Sequence, residues 1–431
     1  MTESFTRYSL AEGVNLHIQP TRKFKTTVIY VYFHLPLAPE TVTSNALLPM
    51  VLARASADYP TTAELSRHLD ELYGASFGID VSKRGEVHSI VFRMEVASEQ
   101  HIPGESGLLQ RALETLAGII TRPALEGDGF KADYFRQEAD NLKQTIEGLI
   151  NNKTRYAMVR CNEAMCKGEP FALYRLGRVE DLPNITPQSL RQHHQQVLST
   201  APVDIFLIGD VECEAARELV QRTLELPAAG PQGRKMPATN IKREPGRPVQ
   251  EVEDQLDVNQ GVLVIGMRTG VTIKDDAEYF PMLVANGVLG GFPHSKLFQN
   301  VREKNSLAYV AYSAVETLKG AGYMYAGIEF ENRTKCQEIM LQQLKELQEG
   351  KIEDDEFETT VASLVNDVLS AADNPGAMAD LAVDRVFSGR DLTVEERVAA
   401  YKAVTKQQVA AVAQRFSIDT VYFLNKQGGG E

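Results

Sequence analysis

Apolar and polar positions along the first half of the chain switch between two periods. Asn15-Leu-His-Ile-Gln19 alternates, and Thr26-Thr-Val-Ile-Tyr-Val-Tyr-Phe-His-Leu35 is rich in β-branched and aromatic residues, so both stretches predict strands. Past Pro36 the period lengthens. Thr43 or Ser44 can cap a helix through Ala46, Leu47, Met50, Val51 and Ala53, and Thr61-Thr-Ala-Glu64 is a capping box opening a second, with Leu65, Leu69 and Leu72 on one face. Residues 76–82 and 88–95 then read as a hairpin. Phe135, Ala139, Leu142, Ile146 and Leu149 recur at steps of four and three, marking a long helix over 130–150 with one apolar stripe. Helices over 154–166 and 188–198, a strand over 203–209 and a helix over 212–224 complete this half.

Between Pro227 and Pro248 the periodicity dissolves. Ala228-Ala-Gly-Pro-Gln-Gly233 and Pro245-Gly-Arg-Pro248 can continue neither pattern, so this stretch is a linker. Beyond it the order of the first half returns: a strand over 260–267, helices over 279–289 and 296–304, and a hairpin of 307–315 with 322–330. A long helix over 336–348, further helices within 353–413 and a closing strand over 420–424 follow. Self-similarity on this scale predicts an α+β protein of two duplicated halves, each an α/β sandwich of a mostly antiparallel sheet with helices packed on it. The expected domains are 1–227 and 249–431, joined by the linker 228–248.

Composition sets outer limits on this picture. The 431 residues exceed what one core accommodates, and 43% apolar with 24% charged residues is the balance of a soluble globular protein. A formal charge of -13 argues against a nucleic-acid partner and favours cationic over anionic peptides. No run reaches the length of a membrane span, and Met1-Thr-Glu-Ser-Phe-Thr-Arg7 lacks the basic start and apolar core of a signal peptide, so the expected location is the cytoplasm. Cys161 and Cys166 lie five apart in a helical stretch and point away from one another, while Cys213 and Cys336 are isolated. Such spacing makes neither a zinc knuckle nor a disulfide framework and fits free thiols in a reducing compartment.

Candidate chemistry gathers at one corner. Arg302 falls on the helix over 296–304 and Tyr309 at the start of the following strand, so a guanidinium and a phenol flank a helix-to-strand turn. Donors aimed at a developing oxyanion are what peptide hydrolysis most needs, although an exposed Arg and a strand Tyr are also ordinary residues. Other arrangements carry less. His193 and His194 are adjacent and point about 100° apart on a helix. His68-Leu-Asp-Glu71 has no second His after it, and the glycine-rich run Gly287–Lys296 lacks the Gly-Lys-Ser/Thr ending of a phosphate loop.

Leu297-Phe-x-x-x-Arg302-Glu-x-x-x-Leu-Ala-Tyr309, preceded by Gly290-Gly291, and Leu69-Asp-x-Leu-Tyr-Gly-Ala75 in the first half resemble the inverzincin family of zinc metallopeptidases. That family holds pitrilysin, insulin-degrading enzyme and the two-subunit mitochondrial processing peptidase, and its duplicated layout extends the resemblance over nearly the whole chain. Its chemistry rests on His-x-x-Glu-His with a further Glu on a distant helix. Aligned through Leu52 and Ser56, Ala46 and Met50 stand where the histidines belong, Pro49 where the general base belongs and Thr145 at the distant ligand, with only the supporting Glu138 retained.

The resemblance therefore implies no metal or other cofactor in this chain and no peptidase activity of the chain alone. It implies a non-catalytic subunit of the bacterial type, paired with a homologous zinc-bearing subunit that cleaves peptides in a closed chamber. Arg302 would help hold the substrate carbonyl, Tyr309 would donate to the tetrahedral oxyanion, and Gly290 and Gly291 would border the peptide's entry. The glycine loop is much shorter than that of the mitochondrial subunit, which argues against presequence-type specificity. The same fold also serves, without zinc, as a structural subunit of a respiratory complex. A scaffold or peptide-binding role is thus the alternative, but it leaves the joint presence of Arg302 and Tyr309 unaccounted for.

Overall fold

The computed structural model describes residues 5–242 and 247–427; the start Met1-Thr-Glu-Ser4 and the Pro245-Gly246 part of the linker lie outside the described residues. Strands β1 (Thr6–Ala11), β2 (Val14–Pro20) and β3 (Thr26–Pro36) lead into helices α1 (Val42–Leu52) and α2 (Thr62–Glu71). The hairpin β4 (Ser76–Arg84) and β5 (Val87–Ala97), helix α3 (Leu108–Thr121) and the short ribbon β6 (Leu125–Glu126) and β7 (Gly129–Phe130) follow. Next come α4 (Ala132–Glu147), α5 (Lys153–Met165), α6 (Pro187–Thr200), β8 (Val203–Gly209) and α7 (Cys213–Thr223). The second half contains β9 (Gln250–Leu256), β10 (Gly261–Arg268), α8 (Tyr279–Asn286), β11 (Ala308–Glu316) and β12 (Ala321–Ile328). It ends with α9 (Arg333–Gln348), α10 (Asp354–Ala371), α11 (Pro375–Ser388), α12 (Val394–Lys402), α13 (Lys406–Ala413) and β13 (Ser417–Lys426).

These elements form two compact units. In the first, the sheet order is β1-β2-β8-β3-β5-β4, with β2 and β8 the parallel pair. Every second residue of the central strands, Leu16, Ile18, Ile29, Val31, Phe33, Ile205 and Leu207, enters one core with Leu47 and Leu48 of α1 and Leu113 and Leu116 of α3. In the second unit the order is β11-β12-β10-β13-β9, with β13 and β9 the parallel pair. Hairpin β4–β5 beside β3, then β8 and β2, therefore corresponds strand for strand to hairpin β11–β12 beside β10, then β13 and β9. The duplicated α+β sandwich expected from the sequence is present, with β1 as an addition to the first sheet.

The division of the chain is not linear. One unit comprises the chain through Glu147 together with Leu173–Ala238; the other comprises Gly148–Ala172 and the chain from Thr239 onward. The expected domain of contiguous residues 1–227 thus differs from the observed first unit in two ways: residues 228–238 of the expected linker belong to that unit, where Arg234 donates to the carbonyls of Leu198, Ala201 and Pro227, and the segment carrying α5 does not. That helix buries Ala157, Cys161 and Met165 against Val262, Val264 and Tyr422 of the second sheet. Arg268, 2% exposed, fastens the segment by donating to Glu169 Oε1 at 2.8 Å and the Met165 carbonyl at 2.6 Å, while its Nε reaches Asp419 at 3.0 Å. Burial opposes ionisation of Glu169, but Arg268 and Lys319 outweigh it and bring the carboxyl down to about 2. The anchor lies 99 positions downstream of Glu169, beyond the reach of a local pattern.

Local differences have local reasons. Neither Thr43 nor Ser44 caps α1: the residue before it is Thr41, and the Thr43 hydroxyl instead donates to Asp181 at 2.6 Å. The polar strands β1 and β9 and the helix α3 are additional to the elements read from the sequence. β9, Gln250-Glu-Val-Glu-Asp-Gln-Leu256, is a charged strand at the edge of its sheet, where its composition discourages further pairing. Cys161, Cys166 and Cys336 are buried and Cys213 half-buried, all as free thiols. No helix among the described residues is long and apolar enough to cross a membrane.

Candidate functional site

The corner in the second unit is built from two widened helical turns and a bulged strand. After α8 the chain continues through a π-helical turn, Gly287–Gly291, and after Leu297 through another, Phe298–Glu303, in which the Lys304 N–H reaches the Gln299 carbonyl at 2.9 Å. Ser306, at φ +50°, reverses the chain into the left-handed region; its N–H binds the Arg302 carbonyl at 2.9 Å, and the Leu307 N–H binds that of Val301 at 3.0 Å. β11 then starts with a bulge. Ala308 pairs with Ile328 and Val310 with Gly327, so Tyr309 is the extra residue. A bulge re-aims its side chain, and the Tyr309 ring stands 76% exposed beside the less exposed Val310.

The corner brings Arg302 and Tyr309 together. The guanidinium carbon lies 5.1 Å from the centre of the Tyr309 ring and 4.6 Å from that of Phe298. Gly290 and Gly291 occupy different settings. Gly290 is buried with its backbone against β11: a Cβ there would sit 2.3 Å from the Ser313 nitrogen. Ser313 completes the seam by donating to Asn286 Oδ1 at 2.9 Å. Gly291 is exposed, with its nearest neighbour for an added Cβ at 3.4 Å. Phe298 belongs to the motif read from the sequence, which gave it no role; the structure sets its ring, four residues before Arg302, against the guanidinium.

In the first unit, the position aligned with a zinc site is chemically different. Ala46 and Pro49 are buried within α1, Met50 is half-buried, and the Thr145 hydroxyl is turned onto its own helix, donating to the Asn141 carbonyl at 2.8 Å. Glu138, 6% exposed, accepts from Arg54 at 3.1 Å and from Asn141 at 3.2 Å. Arg54 also donates to Gln137 at 2.8 Å and lies 5.2 Å from the Tyr134 ring centre. Alanine, proline, methionine and a self-satisfied threonine make no zinc donor set, and the remaining carboxylate is matched by an arginine. Among the described residues no group of three or more His, Cys, Asp or Glu could hold a metal ion.

His193 and His194, apart from that position, enter two different sets of hydrogen bonds. His88 Nε2 is 2.9 Å from the Arg175 carbonyl and its Nδ1 3.1 Å from the Asn45 amide; Asn45 Oδ1 is 2.7 Å from His193 Nε2. A carbonyl acceptor at Nε2 and an amide donor at Nδ1 require His88 to be neutral. His194 is fixed likewise, with Nε2 2.7 Å from the Ile120 carbonyl and Nδ1 2.6 Å from Arg191. Burial lowers all three imidazoles to about 4. Asn45 and His193 line a cavity of about 520 Å³ bounded by His34, Gln196 and Lys235.

A duplicated sandwich whose α1 and α4 offer no zinc donor set has the layout of a metallopeptidase without its metal ligands. Residues 184–364 match the peptidase M16 inactive domain. Over 419 residues the chain is 36% identical to the probable inactive metalloprotease YmfF of Bacillus subtilis, with 97% of each chain covered. It is 23% identical over 243 residues to the uncharacterized zinc protease YmxG of the same bacterium, 56% of this chain and 57% of that one. A conserved protein from Enterococcus faecalis V583 superposes over 100% of both chains with a TM-score of 0.90 and 33% identity. The chain belongs to the M16 peptidase family, the inverzincins, as a non-catalytic member.

Proposed function

We propose that this chain is the non-catalytic subunit of a heterodimeric zinc peptidase in the cytoplasm, lending Arg302 and Tyr309 to the active site of a homologous zinc-bearing partner. The observation that carries this reading is the corner itself: a guanidinium 5.1 Å from the ring of a 76% exposed tyrosine, presented by a bulge. Leaving an aromatic ring this exposed forgoes burial, and the Tyr309 hydroxyl has no hydrogen-bond partner among the described residues. A phenolic O–H without a partner is available to donate to the oxygen of a peptide carbonyl as charge develops on it, and Arg302 supplies a fixed positive charge beside it. Gly291, exposed, leaves room for an extended peptide. The formal charge of -13 favours cationic peptides. That Bacillus subtilis carries both relatives, one named as inactive and one as a zinc protease, supports a paired arrangement.

The test is purification of the tagged chain from its native cell, with mass spectrometry of what accompanies it. The reading expects a related chain with an intact His-x-x-Glu-His in equal amount, and chelator-sensitive cleavage of a fluorogenic peptide by the pair. Recovery of the chain alone, or inside a larger assembly without peptidase activity, would support the scaffold role instead.

A further inference from the structure

The guanidinium of Arg302 is held by rings more than by charge. Its ion-pair partner is Glu303, 3.4 Å from Nε, and the two side chains are 35% and 51% exposed. A pair so open to water fixes little. Phe298 is nearer to the cation than Tyr309 is, at 4.6 Å against 5.1 Å. The core positions of this turn are Leu297 and Val301, both 0% exposed. Phe298 is only half-buried, so filling the core does not account for its ring.

We propose that Phe298 is a positioning residue for Arg302, a role that rests on the reading in which Arg302 meets substrate. A ring attracts a cation through its quadrupole and consumes no N–H donor. The guanidinium is thus fixed beside Tyr309 while its terminal nitrogens stay available to a peptide carbonyl. A carboxylate in place of the ring would fix the cation equally well but would occupy those donors. Phe298 and Arg302, four residues apart on the turn, are neighbours on one face, while the Arg302 carbonyl is engaged by Ser306.

The test compares Phe298→Leu, which keeps an apolar side chain, with Phe298→Tyr, which keeps the ring. In the isolated chain, the Nε–Hε resonance of Arg302 reports ring-current shift by NMR. In the assembled complex, KM and kcat for a fluorogenic peptide report the consequence. Phe298→Leu should displace the resonance and raise KM by about 3-fold with kcat little changed, the scale of one partly exposed cation–π contact, and Phe298→Tyr should restore both. An unmoved resonance in Phe298→Leu overturns the proposal. So does a displaced resonance with unchanged KM when Arg302→Ala does raise KM, an outcome that spares the proposed function. Should Arg302→Ala itself leave KM and kcat unchanged in an intact complex, the proposed function fails first, and the positioning role with it.

Discussion

Acidification should weaken the first unit selectively. His88, His193 and His194 all belong to it, and burial keeps them neutral, lowered to about 4. An unfolded histidine titrates near 6.5, so between about pH 6.5 and 4 the unfolded chain binds protons that the folded one refuses. Stability from these groups is complete above pH 6.5 and is lost as pH falls toward 4. One unit below the unfolded value, at pH 5.5, each group withdraws about 1.4 kcal/mol, and the three together on the order of 4 kcal/mol. That is a large share of the roughly 5–15 kcal/mol that holds a domain. The chain contains no Trp, so the assay is urea unfolding read by pulsed hydrogen exchange and mass spectrometry, which follows peptides of the two units separately. Peptides of α1, β5 and α6 should open at lower urea at pH 5.5 than at pH 7.5, with a smaller change in β10 and β12. His88→Gln, neutral at every pH, should remove about a third of the difference. Equal shifts in both units, or no shift in the first, would refute the assignment of these imidazoles as neutral.

Three further outcomes follow from the local geometry. Gly290→Ala should cost about 1–3 kcal/mol and lower Tm, because its Cβ would meet the Ser313 nitrogen at 2.3 Å, whereas Gly291→Ala should stay within about 0.5 kcal/mol; thermal unfolding of the two variants checks the contrast. The purified chain should carry no stoichiometric zinc and hydrolyse no peptide, and one tightly held zinc by elemental analysis would contradict this. Ala46→His, Pro49→Glu, Met50→His and Thr145→Glu together should gain zinc affinity, and adding Arg54→Ala should tighten it by about 10-fold or more by removing the cation bound to Glu138. A competition titration in which neither variant exceeds the parent would mean that α1 and α4 do not occupy the metal position.

Much of the architecture was legible because it is written in short-range periods. The capping box at Thr61 and Glu64 formed as read, the 130–150 stripe became α4 with Leu142 in the core, and the residues around 302–309 made the helix-to-strand corner. The allegiance of α5 was not legible, since Arg268, Glu169 and Asp419 meet only after the chain has folded. Nor were the bulge at Tyr309, which depends on the register with β12, or the pairing of Arg54 with Glu138 across 84 positions. Glu138 is the residue that the family resemblance assigns to metal support, and its pairing with Arg54 cannot be read from the residue itself. Gly290 and Gly291 looked alike as a pair, and only the approach of β11 separates a glycine needed for packing from an exposed one.

Whether Tyr309 completes a partner's active site is read from the turnover of the assembled complex carrying Tyr309→Phe. The substitution keeps the ring beside Arg302 and removes only the hydroxyl. With that role, kcat falls by roughly 100-fold, the scale of one lost oxyanion donor, with the complex recovered in full by size-exclusion chromatography. An intact complex that turns over at the parent rate would contradict it.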